Sequence, residues 1–283
     1  MPSTQLKRTR ADILRELATT KERYTAAKHK ADMYKLTANT SFGVLNEAHS
    51  PIRSIPSALR VTLNGQLQLL MLIERLALAG VRVLSANTDG VTIMWHRDRM
   101  DTIATIMSAW QKDTGHELEQ AEYTRYCRRD VNTYCALKAE GKVKTKGAFE
   151  QAPVGGKTDE RIVKEAAMQF LMHGVPIAAT VNASNDIRDF IYYQRTKKGD
   201  GLFHGETNLG KTARWYRSLS STAGVRRRNT DGSFACVPNG ANATLALTLP
   251  TGIPADLDRA HYMREARELV ESITKKPKKG WPV

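Results

Sequence analysis

The chain has 283 residues, 41% of them hydrophobic, and its 43 lysines and arginines against 29 acidic residues give a formal net charge of +14. This length and composition predict a soluble, globular protein of two or three domains and argue against a disordered chain. No apolar run reaches membrane-spanning length, so a membrane partner is not expected. The charge favours a polyanion such as nucleic acid as partner, although many basic proteins bind none.

The first predicted element is a helix that carries Lys35, Asn39 and Phe42 at positions i, i+4 and i+7. On a helix these residues form one stripe of a cation, an amide and an aromatic ring. Such a stripe could face a nucleotide, with Lys35 on the triphosphate and Phe42 near a base, while Gly43 lets another strand approach. An amphipathic helix with Phe42 in the core and Lys35 in water explains the same pattern.

A second helix is predicted over residues 57–78, ended by Gly80. Its apolar residues keep near-helical spacing: Leu59, Leu63, Leu67, Leu70 and Ile73. Residues 81–84 and 91–95 then have the composition of two strands, and Asp89-Gly90 between them is a strong signal for a hairpin turn. Asp89 either serves the geometry of that turn or presents a carboxylate to a divalent metal at the tip of a buried hairpin.

Residues 141–149 are predicted to form an extended strand. Lys142, Lys144 and Lys146 alternate along this strand, which places three ammonium groups on one face at a spacing comparable to that of successive phosphates. A strand edge kept soluble by lysines explains the same alternation.

The C-terminal half carries less specific patterns. Residues 161–170 are predicted to form an amphipathic helix, residues 185–190 another segment, and residues 210–216 a basic and aromatic stretch. In that stretch Lys211 and Arg214 could hold phosphates, and packing is favoured over stacking for the two aromatic side chains, Trp215 and Tyr216. The arginine run 226–228 is interpreted as a solvated turn, and residues 275–279 as a flexible basic tail.

The cysteines have no metal-site signature. Cys127, Cys135 and Cys236 lack the close spacing of metal ligands. Their odd number and a polar, basic N-terminal region predict reduced thiols in a cytoplasmic compartment.

Residues 34–43 and 85–91 together resemble two motifs of the B-family (polymerase-alpha-like) DNA polymerases, particularly phage-type members. In that family a fingers helix reading Lys-x-x-x-Asn-Ser-x-Tyr-Gly binds the incoming nucleotide, and a palm hairpin reading Tyr-x-Asp-Thr-Asp-Ser binds a metal ion. Here the first reads Lys-Leu-Thr-Ala-Asn-Thr-Ser-Phe-Gly from residue 35, and the second reads Ser-Ala-Asn-Thr-Asp-Gly from residue 85. Asp89 matches the essential carboxylate, whereas Asn87 replaces the other aspartate.

The resemblance implies a role for each matched residue. Lys35, Asn39, Phe42 and Gly43 would bind the deoxynucleoside triphosphate. Lys21 or Arg23 on a preceding helix would add a second triphosphate contact. Asp89 would be the catalytic metal ligand, with Asn87 and Thr88 nearby. Residues 129–149, ending in Lys-Thr-Lys-Gly, resemble the strand pair that holds the primer terminus. Implied DNA contacts are Asn132, Tyr134, Lys142, Lys144, Lys146, Gly147, Lys211 and Arg214.

The implied fold class is α+β. Residues 1–48 would be fingers, built as a helical hairpin in which residues 11–28 lead through 29–32 into the Lys35 helix. Residues 49–149 would be the C-terminal half of the palm, with the metal-binding antiparallel hairpin and packed helices. Residues 150–283 would be a mixed, mostly helical thumb that grips the primer-template DNA.

Nucleotidyl transfer by this class requires two Mg²⁺ ions, and one aspartate cannot hold both. Because Asn87 supplies only a neutral oxygen, the chain is expected to work with a separate N-terminal polymerase and exonuclease polypeptide that brings the missing carboxylate. The expected setting is a bacterial or phage-infected cytoplasm. A decayed polymerase remnant and a non-enzymatic basic DNA-binding protein are the alternatives. A reverse transcriptase palm fits less well, because such sites usually carry adjacent aspartates.

Overall fold

Helices and antiparallel sheets make up the chain, which confirms the α+β class. A computed structural model describes residues 10–150, 161–196 and 201–274, and the predicted basic tail at 275–279 lies outside these ranges. The chain divides into two compact units, Met1–Leu118 and Glu119–Val283. In the described ranges no helix combines the length and apolar character needed to cross a membrane.

The first unit is mostly helical. Helices α1 (Arg10–Asn46) and α2 (Ile55–Leu78) are followed by an antiparallel pair of strands and by helix α3 (Met100–Thr114). The strands are β1 (Arg82–Ala86) and β2 (Val91–Met94), and a short 3-10 turn spans Arg97–Arg99. The core lies between α2, the hairpin and α3, and its buried residues are Leu72, Leu76, Val81, Ile103 and Trp110.

Helix α1 corrects the predicted helical hairpin. It runs without a break through residues 29–32, the predicted turn. The reason is local, since no glycine or proline occurs between residues 10 and 42 to end the helix. Residues 19–43 are exposed to solvent along its length.

Helix α2 confirms the helix predicted over residues 57–78. Ser54 accepts a hydrogen bond from the backbone N–H of Ser57 at 3.4 Å, Pro56 lies in the first turn, and Gly80 follows the last turn with φ 75°. The core face carries Ala58, Leu72 and Leu76. A second row of leucines, each more than half exposed, lies on another face: Leu59, Leu63, Leu67 and Leu70.

The second unit combines three sheets with three helices. The first sheet has the order β3-β4-β5, with β3 at Tyr123–Asp130, β4 at Thr133–Lys138 and β5 at Val143–Lys146. The helices are α4 (Arg161–His173), α5 (Ile177–Ala183) and α6 (Arg259–Thr274), and α4 packs against both others. Short 3-10 segments span Gly147–Phe149 and Ile187–Phe190.

Two further sheets occupy the region predicted to be a mostly helical thumb. One has the order β12-β9-β6, with β6 at Tyr192–Arg195, β9 at Thr212–Arg217 and β12 at Ala243–Leu245. The other has the order β11-β10-β7-β8, with β7 at Gly201–His204, β8 at Thr207–Gly210, β10 at Val225–Arg228 and β11 at Phe234–Cys236. The predicted helix at 161–170 is confirmed, whereas the sequence patterns do not predict these short strands.

The aromatic residues of β9 pack in the core, as predicted. Trp215 and Tyr216 are both buried. The Trp215 ring stacks on Tyr192 with 6.0 Å between centroids, and its Nε1 donates a hydrogen bond to the Asn239 carbonyl at 2.9 Å. These contacts leave the Trp215 ring unavailable for stacking on a nucleic-acid base.

All three cysteines are free thiols. Cys127 and Cys135 are cross-strand neighbours in β3 and β4, and Cys236 is exposed. Burial raises the pKa of the Cys135 thiol to about 12, so this thiol stays protonated at neutral pH.

Candidate metal-binding hairpin and nucleic-acid interface

The hairpin predicted around Asp89-Gly90 forms, although its turn differs from the expected one. Strands β1 and β2 pair in antiparallel register from Arg82 opposite Met94 to Ala86 opposite Val91, with a bulge at Leu84. Residues 87–90 close the tip, where the Asn87 N–H donates to the Gly90 carbonyl at 3.0 Å. The positive-φ residues do not include Asp89 or Gly90, so the tip is not the primed two-residue turn that Asp-Gly suggests.

Asn87 serves the geometry of this tip. Its side-chain oxygen accepts a hydrogen bond from the Asp89 N–H at 3.3 Å, an arrangement in which an Asx side chain mimics a backbone turn. A Cβ atom on Gly90 would lie 3.3 Å from the same oxygen, so the glycine leaves room for this turn. Asn87, Thr88 and Asp89 are all exposed. The tip therefore projects into solvent. The interpretation of Asp89 as lying at the tip of a buried hairpin is wrong in this respect.

Asp89 presents its carboxylate to solvent. Among the described residues no hydrogen bond or ion pair engages its side-chain oxygens. Asp98 pairs with His96 at 2.9 Å, and Asp101 lies in the first turn of α3. The described ranges contain no group of three or more His, Cys, Asp or Glu side chains placed to hold a metal ion.

The predicted nucleotide stripe is present on α1. Lys35, Asn39 and Phe42 are all exposed, Phe42 to 43%, so Phe42 does not lie in the core. At 1.5 Å per residue Lys35 and Asn39 lie about 6 Å apart along the helix, and Phe42 is about one turn further. Gly43 has open space around it, since no atom lies within 4 Å of the position that a Cβ would occupy.

The candidates for a second triphosphate contact lie far from this stripe. On one continuous helix Lys21 and Arg23 are about 21 Å and 18 Å from Lys35 along the axis. Lys21 has nearly the same angular position as Lys35, since 14 residues are close to four turns. The predicted helical hairpin would have brought these cations together, but the straight helix does not.

The strand pair predicted to hold the primer is part of the β3-β4-β5 sheet. Tyr134 on β4 lies opposite Lys146 on β5, and Ala136 lies opposite Lys144. Gly147 has φ +65°, and a Cβ atom there would lie 2.2 Å from the Asn132 carbonyl oxygen. Only glycine fits at this position, and it packs the end of β5 against the β3-β4 turn. The structure thus brings Asn132, Tyr134, Lys146 and Gly147 together.

One face of this sheet is both basic and aromatic. Cross-strand register places side chains from all three strands on this face, which we call the tyrosine–lysine face: Tyr126, Arg128, Tyr134, Lys144 and Lys146. Tyr123 joins it at the start of β3, with its ring 6.0 Å from that of Tyr126, which in turn lies 5.4 Å from Tyr134. The opposite face, with Cys135, packs in the core. The face offers cations for phosphates and aromatic rings for sugars or bases.

Lys144 and Lys146 remain available for anions. Among the described residues neither forms an ion pair with a carboxylate. Burial alone lowers the pKa of Lys144, but the neighbouring Tyr123 and Tyr134 hydroxyls outweigh it and the pKa lies above its ordinary value. Lys144 therefore stays charged at every physiological pH.

The remaining predicted DNA contacts are more dispersed. Lys142 lies just before β5, where its Nζ is 3.8 Å from a Glu140 carboxylate oxygen that also pairs with Lys138 at 3.5 Å. Arg214 is exposed on β9, with its guanidinium 5.7 Å from the Tyr193 ring, and Lys211 is exposed in the turn before β9. Arg214 therefore lies in a different sheet from the tyrosine–lysine face.

Replacement of Lys144 or Lys146 by alanine is expected to weaken DNA binding and to flatten its salt dependence. Each duplex phosphate that the variant no longer neutralises should reduce the slope of log K against log salt by about 0.9, because fewer counterions are released. Fluorescence anisotropy across a salt series measures this slope. Lys112→Ala, which removes an exposed lysine from α3, is the matched control. An unchanged salt slope for both Lys144→Ala and Lys146→Ala would show that these lysines contact solvent and not DNA phosphates.

Sequence reasoning found the lysines of this face but missed Tyr123, Tyr126 and Arg128. The period-two alternation of Tyr126 and Arg128 on β3, opposite Tyr134, is the signal that could have found them. No protein-family model and no curated protein matches the chain.

Proposed function

We propose that the chain is the fingers, second palm half and thumb of a template-directed DNA polymerase of the B-family type. It would add deoxynucleotides to a primer 3′-hydroxyl together with an N-terminal polypeptide. The observation that carries the proposal is the Asp89 carboxylate, exposed at a hairpin tip and engaged by no other residue that the structure describes. A structural turn aspartate would use that carboxylate to bond the backbone, and in this turn Asn87 does so instead.

The residues of the tip fit one half of a two-Mg²⁺ site. Mg²⁺ binds through one or two carboxylates together with substrate phosphates, and Asp89 can supply one such ligand. Asn87 is neutral and its oxygen is engaged in the turn, so a second carboxylate must come from outside the hairpin. When bound, the two ions would activate the primer hydroxyl and neutralise charge on the triphosphate. Lys35 and Asn39 would orient the triphosphate, and the tyrosine–lysine face would hold the DNA.

The N-terminal polypeptide would bring the second carboxylate, and α2 offers it a surface. The exposed leucine row of α2 lies on the helix that packs next to β1, which leads directly to the Asp89 tip. Exposed leucines at helical spacing are typical of a surface that another polypeptide covers. A partner bound there would lie beside the element that ends at Asp89.

Primer extension by the purified chain tests this proposal. Alone, the chain should bind primer-template DNA but should not extend it with Mg²⁺ and deoxynucleotides, since one carboxylate cannot hold two ions. Addition of the polypeptide encoded by the upstream reading frame, which we expect to carry an exonuclease and the other palm carboxylate, should give extension. Robust extension by the isolated chain would contradict the split site.

A non-enzymatic DNA-binding protein is the second candidate function. The tyrosine–lysine face favours it, because such a face can bind phosphates without any metal. DNA binding that persists with no extension under any complementation would support this candidate or a decayed polymerase.

In the assembled enzyme, Lys35→Ala is expected to weaken apparent nucleotide affinity at least tenfold while DNA affinity changes little. The reason is that the ammonium group would meet the triphosphate and not the duplex, and a charge-assisted contact contributes about 1.5–3 kcal/mol. Steady-state extension kinetics and DNA anisotropy measure the two affinities. Lys30→Ala, on the opposite side of α1, is the control, and equal losses of both affinities in Lys35→Ala would contradict the assignment.

A further inference from the structure

The β11-β10-β7-β8 sheet presents a second basic and aromatic surface. Residues 226–228, interpreted from sequence as a turn, form strand β10 in the middle of this sheet. Val225 and Leu202 point to the core, whereas Arg226 and Arg228 are exposed on the other face. Phe203 lies opposite Arg226, and Phe234 lies opposite Arg228. We call Phe203, Arg226, Arg228 and Phe234 the arginine–phenylalanine face.

Each arginine of the arginine–phenylalanine face lies over one of its two phenylalanine rings. The Arg226 guanidinium lies 4.8 Å from the centroid of the Phe234 ring, and that of Arg228 lies 6.0 Å from the centroid of Phe203. The two rings meet edge to face, with 5.4 Å between centroids and planes at 88°. Each guanidinium is therefore held over a ring diagonally across the strands, which fixes its position before any ligand binds.

Glycine keeps the Phe203 ring close to the sheet. A Cβ atom on Gly201 would lie 3.3 Å from Cε2 of the Phe203 ring. Because Gly201 has no side chain, this ring can lie across the strand, and Phe234 remains 47% exposed beside it. Phe234 contacts Phe203 and Arg226 at the surface of the sheet and contributes little to the core.

The charges of the face are not neutralised within the described part of the chain. Neither Arg226 nor Arg228 forms an ion pair there. None of the strand residues on this face of the sheet is acidic. These residues are Gly201, Phe203, Asn208, Arg226, Arg228, Phe234 and Cys236. The two arginines are two residues apart on one strand, about 6.8 Å, which is comparable to the spacing of phosphates along an extended nucleic-acid strand.

We propose that the arginine–phenylalanine face binds single-stranded nucleic acid, with bases stacked on Phe203 and Phe234 and phosphates held by Arg226 and Arg228. A duplex keeps the faces of its bases stacked inside, so only a single strand can offer them to the half-buried Phe203 ring and the exposed Phe234 ring. An acidic peptide could meet the arginines but would leave the rings without a stacking partner. The arginine–phenylalanine face does not include Asp89, and it is present whether or not the chain is a polymerase.

Binding of labelled oligothymidylate of about 15 nucleotides to the full chain tests the proposal. Phe234→Ala should weaken this binding by roughly 5- to 150-fold, the range expected for loss of one stacked base, and should change binding of a blunt duplex much less. Because Phe234 is exposed on the edge strand β11, its replacement should leave the fold intact, which a thermal melt checks. Leu247→Ala, which removes another exposed apolar side chain, is the control.

Companion variants separate stacking from charge. Arg226→Ala with Arg228→Ala should reduce both affinity and salt slope, whereas Arg195→Ala, at another exposed arginine, should change neither. The affinity for oligouridylate, compared with that for oligothymidylate, shows whether the face binds RNA or DNA more tightly. Photocrosslinking of an oligonucleotide with iodinated uracil should label the peptide that contains Phe234, which separates this face from the tyrosine–lysine face.

Three results would overturn the proposal. The first is unchanged single-strand binding by folded Phe234→Ala, and the second is an equal loss for single strand and duplex. The third is displacement of the oligonucleotide by polyglutamate at equal charge concentration, with no dependence on Phe234, which would assign the face to acidic polypeptides.

Discussion

If the chain is part of the proposed polymerase, replacement of Asp89 by asparagine should abolish primer extension by the reconstituted assembly, with a loss of at least about a thousandfold in rate. A neutral amide cannot replace an anionic ligand of closely spaced divalent ions, whose stabilisation of the transition state amounts to several kcal/mol. DNA affinity should remain near that of the wild type. The substitution should also leave the fold intact, because in the described part of the chain the Asp89 carboxylate makes no hydrogen bond or ion pair that the amide would break.

Two neighbouring substitutions are the controls for Asp89. Asn87→Asp should retain extension, since an aspartate oxygen can accept the same turn hydrogen bond and would restore the second aspartate of the B-family motif that the hairpin resembles. Asp98→Asn removes an exposed carboxylate that pairs with His96 and should have little effect. Normal extension by the complemented Asp89→Asn protein would remove Asp89 from the catalytic site.

Gly147→Ala should destabilise the second unit by about 2–4 kcal/mol and weaken DNA binding. Alanine at φ +65° costs about 1–2 kcal/mol, and its Cβ would approach the Asn132 carbonyl oxygen to 2.2 Å, which adds a clash with backbone. Relief of that clash would move the end of β5, and with it Lys146, away from the β3-β4 turn. Urea unfolding measures the stability and anisotropy measures the binding.

Gly141→Ala is the matched control for Gly147→Ala. Gly141 also has positive φ, +85°, in the turn that precedes the same strand, but no atom lies within 4 Å of its Cβ position. This variant should lose only the conformational cost of about 1–2 kcal/mol and should bind DNA normally. Equal losses of unfolding free energy in the two variants would show that the close approach of the alanine Cβ at position 147 to the Asn132 carbonyl oxygen does not destabilise the protein further.

Local signals in the sequence predict the elements that local chemistry determines. Helix α2 begins beside a serine cap with Pro56 in its first turn and ends before Gly80, and Asp89-Gly90 separates two apolar strands. The alternating lysines of β5 likewise predict an extended strand. These features depend on residues a few positions apart, so a single sequence contains them.

Features that depend on distant contacts were not predictable from the sequence. The leucines 59, 63, 67 and 70 have the same spacing as core residues, and only the packing of α3 and the hairpin against α2 decides which face is buried. The continuous helix α1 was mispredicted for a different reason. The B-family resemblance implied a turn at residues 29–32, but those residues contain no glycine or proline that would end the helix. The strands of residues 192–245 are three to six residues long, and several pair with partners far along the chain, as β6 does with β9, β7 with β10 and β9 with β12.

The tyrosine–lysine face shows how much of a site can be predicted. Lys144 and Lys146 are identifiable because their alternation is local. Tyr123 and Tyr126 become part of the site only through the register of β3 against β4, which a bulge between Tyr123 and Arg125 shifts. Cross-strand register depends on pairing geometry, so Lys144 and Lys146 were predictable, whereas Tyr123, Tyr126 and Arg128 were not.

Anomalous scattering from Mn²⁺ would test the central claim most directly. The crystal would contain the reconstituted enzyme, primer-template DNA and a non-hydrolysable deoxynucleoside triphosphate. If Asp89 is the metal ligand of a two-ion polymerase site, two manganese peaks should lie about 3.5–4 Å apart, at least one with an Asp89 carboxylate oxygen about 2.1 Å away. Two well-occupied ions bound by other carboxylates, with Asp89 in solvent, would contradict it.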